Sequence, residues 1–561
     1  MNLLFTTCDV SLVSYEESFL STRSSLNVRV KMSTENAGAQ ECEFVDSASV
    51  TKVEFTENVK PTTSGTMEIN KEYCALLKLV FNLVTNIANE KEKDKPYAEH
   101  IETLREIEMR LNKFHRTFNS QDAPFHDSIA LAQIYLKLSE IYYSDDSRND
   151  KLYIAREHLM QCVQLLKGKE LDRKVIFTVI KAFFELGCIS MKLKDLEESE
   201  QFTRKALELY LTYTEKKEDY PAPTHFPIVT GIEIECNYIY EMDILYTRIL
   251  KTLLSFQHYN VNKYSPIDNC TMIIYAHKIL EKMLKTAPLS VSYSELAIFS
   301  SHLSSEFLKY KRFNEARHHL AVASFSVKKY YEVELIKIDG DKSPRVKARA
   351  HDTHALTAAN VAIKWAQYGN TLLRSSSERV LYNEEEDESA TEFAMLPKLL
   401  FTGLQDELQN FTDLIRDAYI ADYKDAKVVF RRVLKWLEEA KGFAIKVRTM
   451  STNINMNISR GIFHAYKYLI CYEREKNEQM KLYKQLMDTL NDFSKSLSAD
   501  ADPTVRKYTC LQVVLASYSL LEIKTQDLES HDKMDSELLG EIDKLVKYNV
   551  HNSELYLYGN K

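Results

Sequence analysis

Apolar residues recur three and four positions apart along most of this chain, which is the spacing that predicts amphipathic α-helices. The pattern is clearest over Phe307–Val327, where it predicts the end of one helix, a tight polar turn and a second helix folded back on the first. Phe313 is expected to close the turn, and Asn314 is expected to cap the second helix. Ala316 and Ala323 share one face of that helix, where small side chains let two backbones approach closely. The segment therefore predicts an antiparallel helix hairpin.

Two earlier segments repeat this division of large and small side chains. Residues 128–166 and 175–213 each predict a helix pair. In the later pair Gly187 fits the pattern of the first helix, and Ser199 and Ala206 fit the small positions of the second. Three such hairpins resemble tetratricopeptide (TPR) repeats, whose helix pairs stack side by side into a solenoid. The copies lie further apart than the roughly 34 residues of a standard TPR, so the repeats are predicted to be degenerate. For any one segment alone, an ordinary antiparallel helix pair is the alternative.

The order of these segments predicts an all-α protein, a TPR-like α-solenoid of antiparallel helix pairs with two lobes joined by a long helix. Lys347–Val380 contains neither proline nor an internal stop, so it is predicted to be one Ala-rich helix. The predicted organisation is a disordered tail at 1–66, an N-terminal TPR-like lobe at 67–335, a long linker helix at 345–382, an acidic loop at 383–396, a C-terminal helical lobe at 397–548 and a tail at 549–561. In the C-terminal lobe, helices are expected near 397–420, 423–448, 453–473, 475–497, 504–525 and 534–548.

A further hypothesis concerns where the native chain starts. Met32 begins a polar stretch that resembles an ordinary start, so residues 1–31 are interpreted as an upstream extension.

Composition narrows the class of partner. The formal net charge of −8 argues against general binding of nucleic acid or anionic membranes, and it suits either an ordinary surface or an acidic face that meets a basic partner. The 9 cysteines form no CxxC pair, which favours a reducing compartment and a cytoplasmic location. No run approaches the roughly 18 apolar residues of a membrane-spanning helix, so membrane insertion is not expected.

Candidate chemistry is sparse. Nucleotide-binding, metalloprotease and nucleophile-elbow motifs are all missing from the sequence, so no enzyme and no cofactor are predicted. An enzyme with an unrecognised active site is the remaining alternative. His351 and His354 are close enough on one helix to share a ligand, but no third metal ligand is evident, and no metal site is predicted. His318 and His319 are expected to cover a repeat edge.

What remains is a binding surface on the first helices of the hairpins, which line the concave groove of a TPR stack. The register set by Gly187 predicts that five side chains of the first helix face that groove: Lys181, Phe184, Cys188, Met191 and Lys192. The register set by Ser304 adds Ile298, Ser301, Ser305, Leu308 and Lys309. These positions lack the Lys/Asn clamp of TPRs that bind chaperone tails, and a partner helix suits them better. The alternative is that some of them pack between repeats.

Several segments together resemble the KIF-binding protein family, the TPR-like regulators of kinesin motors. They follow one another in the family's order: Tyr275–Leu284, Glu315–Leu320, the helix around Trp365, the acidic run 384–388, Tyr423–Lys427, Glu439–Phe443 and Ser459–Glu473. The resemblance covers about 230–525, and the hairpins before it match only in style. Trp365 and Trp436 are interpreted most simply as core residues.

The resemblance implies a two-lobed α-solenoid that grips the kinesin motor domain on its microtubule-binding side, so that a bound motor does not reach the microtubule. The expected protein is a non-enzymatic, monomeric, cytoplasmic and cytoskeleton-associated regulator of microtubule-based transport. A general TPR scaffold for complex assembly or vesicle traffic is the first alternative. A TPR co-chaperone is the second, and the missing clamp argues against it.

The resemblance also implies contact residues. Leu245–Arg248 lies where the family places a motor-contacting helix, so Tyr246 is the first candidate contact. Tyr246→Ala is expected to weaken motor binding without unfolding the chain. The full set of expected partner contacts is Tyr246, Lys181, Phe184, Met191, Lys192, Ser301, Ser305 and Lys309.

Overall fold

A computed structural model gives the fold of most of the chain. It describes residues 30–31, 70–90, 100–117, 124–144, 149–215, 223–224, 233–234, 238–256, 269–286, 293–336, 338, 344–382, 397–447, 452–497, 502–530 and 536–558. The predicted tail at 1–66 (apart from 30–31), the proposed extension at 1–31 (apart from 30–31) and the acidic loop at 383–396 lie outside these residues. The chain separates into two compact units, one within 25–265 and one from 266 onward.

The first unit is a stack of helices. Its helices are α1 (Lys71–Glu90), α2 (Ile101–Thr117), α3 (Phe125–Ser144), α4 (Asn149–Leu165), α5 (Ile176–Lys192), α6 (Leu196–Glu215) and α7 (Tyr238–Phe256), and its strands are β1 (Val30–Lys31) and β2 (Glu233–Ile234), which pair antiparallel. Helices α3 and α4 pack as one pair, and α5 and α6 pack as the next. The first helices also contact one another in the order α1, α3, α5 and α7. This arrangement of helix pairs, with first helices side by side, confirms the predicted all-α helical-repeat fold.

The α5–α6 pair shows how the predicted small positions work. The oxygen of Gly187 accepts a hydrogen bond of 2.6 Å from Ser199 Oγ on the facing helix. A Cβ atom added at Gly187 would lie 2.3 Å from Thr203 Oγ1, so the approach requires glycine. The small-residue prediction for this pair is confirmed.

The second unit contains the remaining helices. They are α8 (Asn269–Thr286), α9 (Tyr293–Lys309), α10 (Phe313–Lys329), a π-helix (Tyr330–Leu335), α11 (Pro344–Tyr382), a 3₁₀ turn (Thr402–Leu404), α12 (Gln405–Thr412), α13 (Tyr423–Ala444), α14 (Thr452–Ile470), α15 (Lys476–Ser496), α16 (Pro503–Ser530) and α17 (Ser536–Tyr558). The predicted N-terminal lobe, 67–335, runs past the start of this unit, and the predicted lobe boundaries stay a prediction.

The hairpin α9–α10 repeats the turn of α5–α6. Lys311 and Lys194 both have positive φ, at 57° and 66°. The next amide in each turn, at Arg312 or Asp195, donates five residues back to the helix, which is the hydrogen bond of a Schellman motif. Two turns of the same geometry at corresponding places support the repeat interpretation.

The prediction that Asn314 caps α10 is wrong. The helix begins at Phe313 with Arg312 at the N-cap position, and along the described hairpin no side chain caps its first turn. The Schellman turn directs the chain straight into the helix, so Asn314 already lies inside it and accepts a bond of 3.4 Å from Arg317 Nη2. Phe313 does close the turn, because it is buried against the rings of Tyr368 and Tyr419.

The predicted long helix is confirmed as α11, which has 39 residues. It contacts α9 and α10 on one side and α13 and α14 on the other. Trp365 of α11 and Trp436 of α13 are both buried, and their rings stack with centroids 5.2 Å apart. Trp365 Nε1 donates to Ser324 Oγ of α10 at 2.8 Å. The two tryptophans are core residues, as predicted.

Two predicted helices differ from the structure. Residues 397–420 do not form one helix, because Phe401 is buried between the rings of His277 and His319 and Arg317 binds the oxygen of Ile415, which fixes the segment in a non-helical path. Only the 3₁₀ turn and α12 remain helical there. The last helix, expected near 534–548, continues to Tyr558.

Candidate partner-binding surface

In the first unit, the predicted groove residue Lys181 belongs to an ionic cluster between α3 and α5. Lys181 Nζ lies 2.6 Å from Glu140 Oε1, and Lys137 Nζ lies 2.9 Å from Glu140 Oε2. Glu185 lies 3.9 Å from Lys181 on the same helix. About four fifths of each of these four side chains is removed from water. The charge of Lys181 is therefore paired with Glu140 inside the protein, where the ion pair links the two first helices α3 and α5.

The charges in this cluster set the titration of Glu140. Burial alone would raise the pKa of its carboxyl, but Lys137 and Lys181 and their hydrogen bonds lower the pKa to about 2. A folded pKa below the unfolded value means that the ionised group stabilises the fold above about pH 4.5. That stabilisation is lost as the pH falls toward 2.

We expect Glu140→Gln to lower the free energy of unfolding at pH 7 by about 2 kcal/mol, because two partly buried ammonium groups lose their shared counter-charge. Glu208→Gln is the control, since its pair with Lys205 is half exposed and is expected to contribute less than about 0.5 kcal/mol. Urea unfolding followed by circular dichroism measures both. Equal effects of the two substitutions would contradict the prediction.

The other predicted groove residues of α5 differ in how far their side chains are exposed. Phe184 and Cys188 are buried, so they pack between repeats, which is the alternative that the sequence left open. Met191 and Lys192 are half-buried, and Lys192 Nζ lies 4.4 Å from the ring centroid of Tyr143. Met191 and Lys192 are therefore the members of this set that a partner reaches most easily.

Tyr246 of α7 does not lie open on a groove. Its side chain is only 4% exposed, and its ring stacks on Tyr210 with centroids 3.9 Å apart and planes 7° apart. Tyr210 in turn donates a hydrogen bond of 3.1 Å to Asp243, one turn before Tyr246. The expectation that Tyr246 contributes little to the core is wrong, and its role in partner binding stays a prediction.

In the second unit, the predicted face of α9 is partly covered by α11. Ser301 is buried and donates to the oxygen of Ile298 at 2.8 Å. Ser305 accepts a hydrogen bond of 3.0 Å from Lys364 of α11. Lys309 lies 2.6 Å from the buried Glu306 and keeps a third of its side chain exposed. Ser301 is thus buried, which fits the alternative that some of these positions pack between repeats, whereas Lys309 remains accessible.

Lys364 is held in an unusual environment by this packing. Burial lowers the pKa of its amine to about 8, Glu306 opposes the shift, and Lys309 adds to it. Burial also raises the pKa of Glu306, against the effect of the two lysines. Desolvation therefore disfavours the charged form of both Lys364 and Glu306.

A histidine pair that the sequence did not single out lies near this face. His319, expected at a repeat edge, is fully buried, and its Nε2 lies 3.3 Å from Nδ1 of His277 on α8. Ser300 Oγ donates to the oxygen of His319 at 2.8 Å. Burial lowers the pKa of His277 to about 4 and the pKa of His319 well below its ordinary value. The two adjacent histidines in the sequence gave no signal of this, because the partner lies 42 residues away.

Acid should therefore destabilise the second unit. The unfolded chain binds protons at these histidines more readily than the folded one, so stability falls as the pH drops below about 6.5. For His277 alone, a folded pKa of about 4 predicts a loss of about 2 kcal/mol between pH 7 and pH 5. Urea unfolding at the two pH values measures it, and His277→Asn should show a smaller difference between them. An unchanged difference in the variant would contradict the prediction.

The described residues offer no other obvious chemistry. They contain no group of three or more His, Cys, Asp or Glu side chains placed to hold a metal ion. Among the helices that the structure describes, none is both long and apolar enough to cross a membrane.

Comparisons with known proteins show what this chain is similar to. A family model described as the KIF-1 binding protein C-terminal region matches residues 294–559. A KIF-binding protein of Drosophila melanogaster is 26% identical over 387 residues, which are 66% of this chain and 60% of the fly protein. A KIF-binding protein of Danio rerio is 21% identical over 473 residues, 79% of this chain and 71% of the fish protein.

A solved circular tandem repeat protein covers 87% of this chain and 98% of its own at 11% identity, but its TM-score is 0.24, so the fold assignment rests on the helices themselves. The matched C-terminal region and the two relatives, together with the ordered motifs from Tyr275 to Glu473, show that this chain is similar to the KIF-binding protein family.

Proposed function

We propose that this chain is a non-enzymatic regulator that binds kinesin motor domains in a concave helical groove and blocks their attachment to microtubules. The observation that carries the proposal is the similarity of this chain to fly and zebrafish proteins that are named KIF-binding proteins. The matched region spans only 60% of the fly protein. The activity of the whole fly protein is therefore assigned to this chain only within this proposal.

The charge of the chain supports the proposal. A microtubule-binding face must be basic to meet the acidic microtubule, and a chain of net charge −8 attracts such a face over long range. The accessible members of the predicted contact set are Met191, Lys192 and Lys309. In this proposal the protein acts as a monomer in the cytoplasm, associates with the cytoskeleton through its motors and thereby affects microtubule-based transport, including axonal transport.

Microtubule co-pelleting of a panel of purified kinesin motor domains, with and without this protein, tests the proposal. We expect selected motors to move from the pellet to the supernatant as a soluble complex. A double variant, Met191→Ala with Lys192→Ala, should weaken this release, and Lys205→Ala on the exposed face of α6 is its control. If every motor still pellets and none binds, the proposal fails and the general TPR scaffold takes its place.

A further inference from the structure

A cluster of aromatic and basic side chains lies at the start of the long helix α11 and contains no residue of the predicted contact set. We define it as the His354 patch, formed by Tyr331 of the π-helix, His351 and His354 of α11, Phe443 in the last turn of α13 and Lys446 just beyond that helix. All five residues belong to the second unit.

The patch stands on a rigid base. Tyr330 and Leu335, the two ends of the π-helix, are buried with Ala350 of α11, and Tyr330 Oη donates to the oxygen of Ala350 at 3.4 Å. A π-helix has about one residue more in each turn than an α-helix and is frequent at functional sites. Here it turns Tyr331 outward, where its side chain is 52% exposed, while Tyr330 stays in the core.

Aromatic rings surround the half-buried imidazole of His354. The ring of Tyr330 stacks on it with centroids 5.9 Å apart, and the ring of Tyr331 lies 5.5 Å away. Phe443 meets it edge-on from α13 at 6.4 Å. Rings from two elements, the π-helix and α13, therefore pack around this side chain, unlike an isolated surface histidine.

The surroundings of His354 favour the neutral form of its imidazole at pH 7. Burial lowers the pKa of His354, and His351 and Lys446 lower it further. Lys446 is exposed at the end of α13, and its Nζ lies 5.2 Å from the ring centroid of Phe443. Lys347 lies one turn before His351 on the same face of α11. Lys446 and Lys347 are therefore the two cations of this surface. Of the neighbouring carboxylates, Glu332 is paired with Lys328 and Lys329, and Asp352 directly follows His351.

Exposed apolar side chains border these cations. Ile445, directly before Lys446, is 62% exposed, and Ile336, directly after the π-helix, is 59% exposed. Cations beside exposed aliphatic and aromatic groups match a peptide that carries both carboxylates and apolar side chains, because each part then has a counterpart.

We propose that the His354 patch binds an acidic peptide segment of a partner protein, with a carboxylate at Lys446, a hydrogen bond from the neutral imidazole of His354, and an apolar side chain against Tyr331 and Ile445. This partner differs in charge from the basic face of the proposed motor, so the patch is a second site. A membrane surface would require a cluster of about 4–8 Lys or Arg side chains, and nucleic acid would require a broader basic field.

Fluorescence anisotropy of the full-length chain with a labelled peptide of about twelve alternating Glu and Leu residues tests the proposal. We expect this peptide to bind, and its Gln-for-Glu counterpart to bind at least about tenfold more weakly. Lys446→Gln and Tyr331→Ala, both at exposed positions, should each weaken binding about fivefold. Lys435→Gln, an exposed lysine of the same helix α13, removes the same charge and should leave binding unchanged.

Three results would overturn the proposal. The first is no binding of the Glu peptide at about 1 mM. The second is an equal loss with Lys446→Gln and Lys435→Gln, which would mean diffuse attraction to the whole surface. The third is Lys446-dependent binding of phosphatidylserine vesicles or single-stranded DNA without binding of the peptide. Motor release in the co-pelleting assay should be unaffected by Lys446→Gln, so this site and the proposed motor site are tested separately.

Discussion

Trp365→Ala is expected to lower the free energy of unfolding of the second unit by about 4 kcal/mol, the largest effect of any substitution considered. The indole is buried where α11 crosses α13, and its removal leaves a cavity against Trp436 that the flanking helices cannot close without moving. The hydrogen bond from Nε1 to Ser324 is lost as well. One side chain thus holds α11 to both α10 and α13.

Tryptophan emission measures this effect directly. The chain contains 2 Trp residues, both in this contact, so their emission during urea unfolding reports on the second unit alone. In the variant, Trp436 remains as the reporter. Trp365→Phe should be milder, at about 2 kcal/mol, and Val428→Ala on the exposed side of α13 should change stability by less than about 0.5 kcal/mol. A loss below about 1 kcal/mol for Trp365→Ala would show that the stacked pair is not a main contact.

Tyr246→Ala is expected to lower the free energy of unfolding of the first unit by about 3 kcal/mol. The substitution removes a buried ring that stacks on Tyr210, and it therefore weakens the packing of α6 against α7. Circular dichroism during urea unfolding measures the loss. Tyr210→Ala should reproduce it, because it removes the other half of the same stack.

Motor binding of the same variants separates the two roles of Tyr246. If the residue acts through the core, Tyr246→Ala weakens binding only as far as it unfolds α7, and Tyr246→Phe, which keeps the ring, leaves binding and stability nearly unchanged. Lost motor binding with an unchanged unfolding curve in Tyr246→Ala would contradict the structural role and return the residue to the contact surface.

Local pattern predicted the helices well, because each depends on residues within a few turns of one another. The span of α11, the close approach at Gly187 and the burial of the two tryptophans all follow from periodicity and side-chain size. The residues Ala316 and Ala323 are likewise buried, as their spacing predicted.

The candidate contact set could be predicted only in part, because exposure depends on packing between distant residues. Ser301 and Ser305 lie on the face of α9 predicted to line the groove. Ser305 of that face instead contacts Lys364 of α11, which is 59 residues away in the sequence. Tyr246 is amphipathic, and its sequence neighbours do not tell whether the ring meets a partner or Tyr210. His319 shows the same limit, since its partner His277 comes from a different helix pair.

The contacts of α11 also determine how the second unit can come apart. In a solenoid whose repeats contact only their neighbours, terminal hairpins can open one at a time. Helix α11 instead touches α9, α10, α13 and α14, so none of these four can leave without exposing its apolar faces. Its backbone amides should then be among the last in the chain to exchange with solvent deuterium, since they open only when these five helices unfold as a single cooperative block.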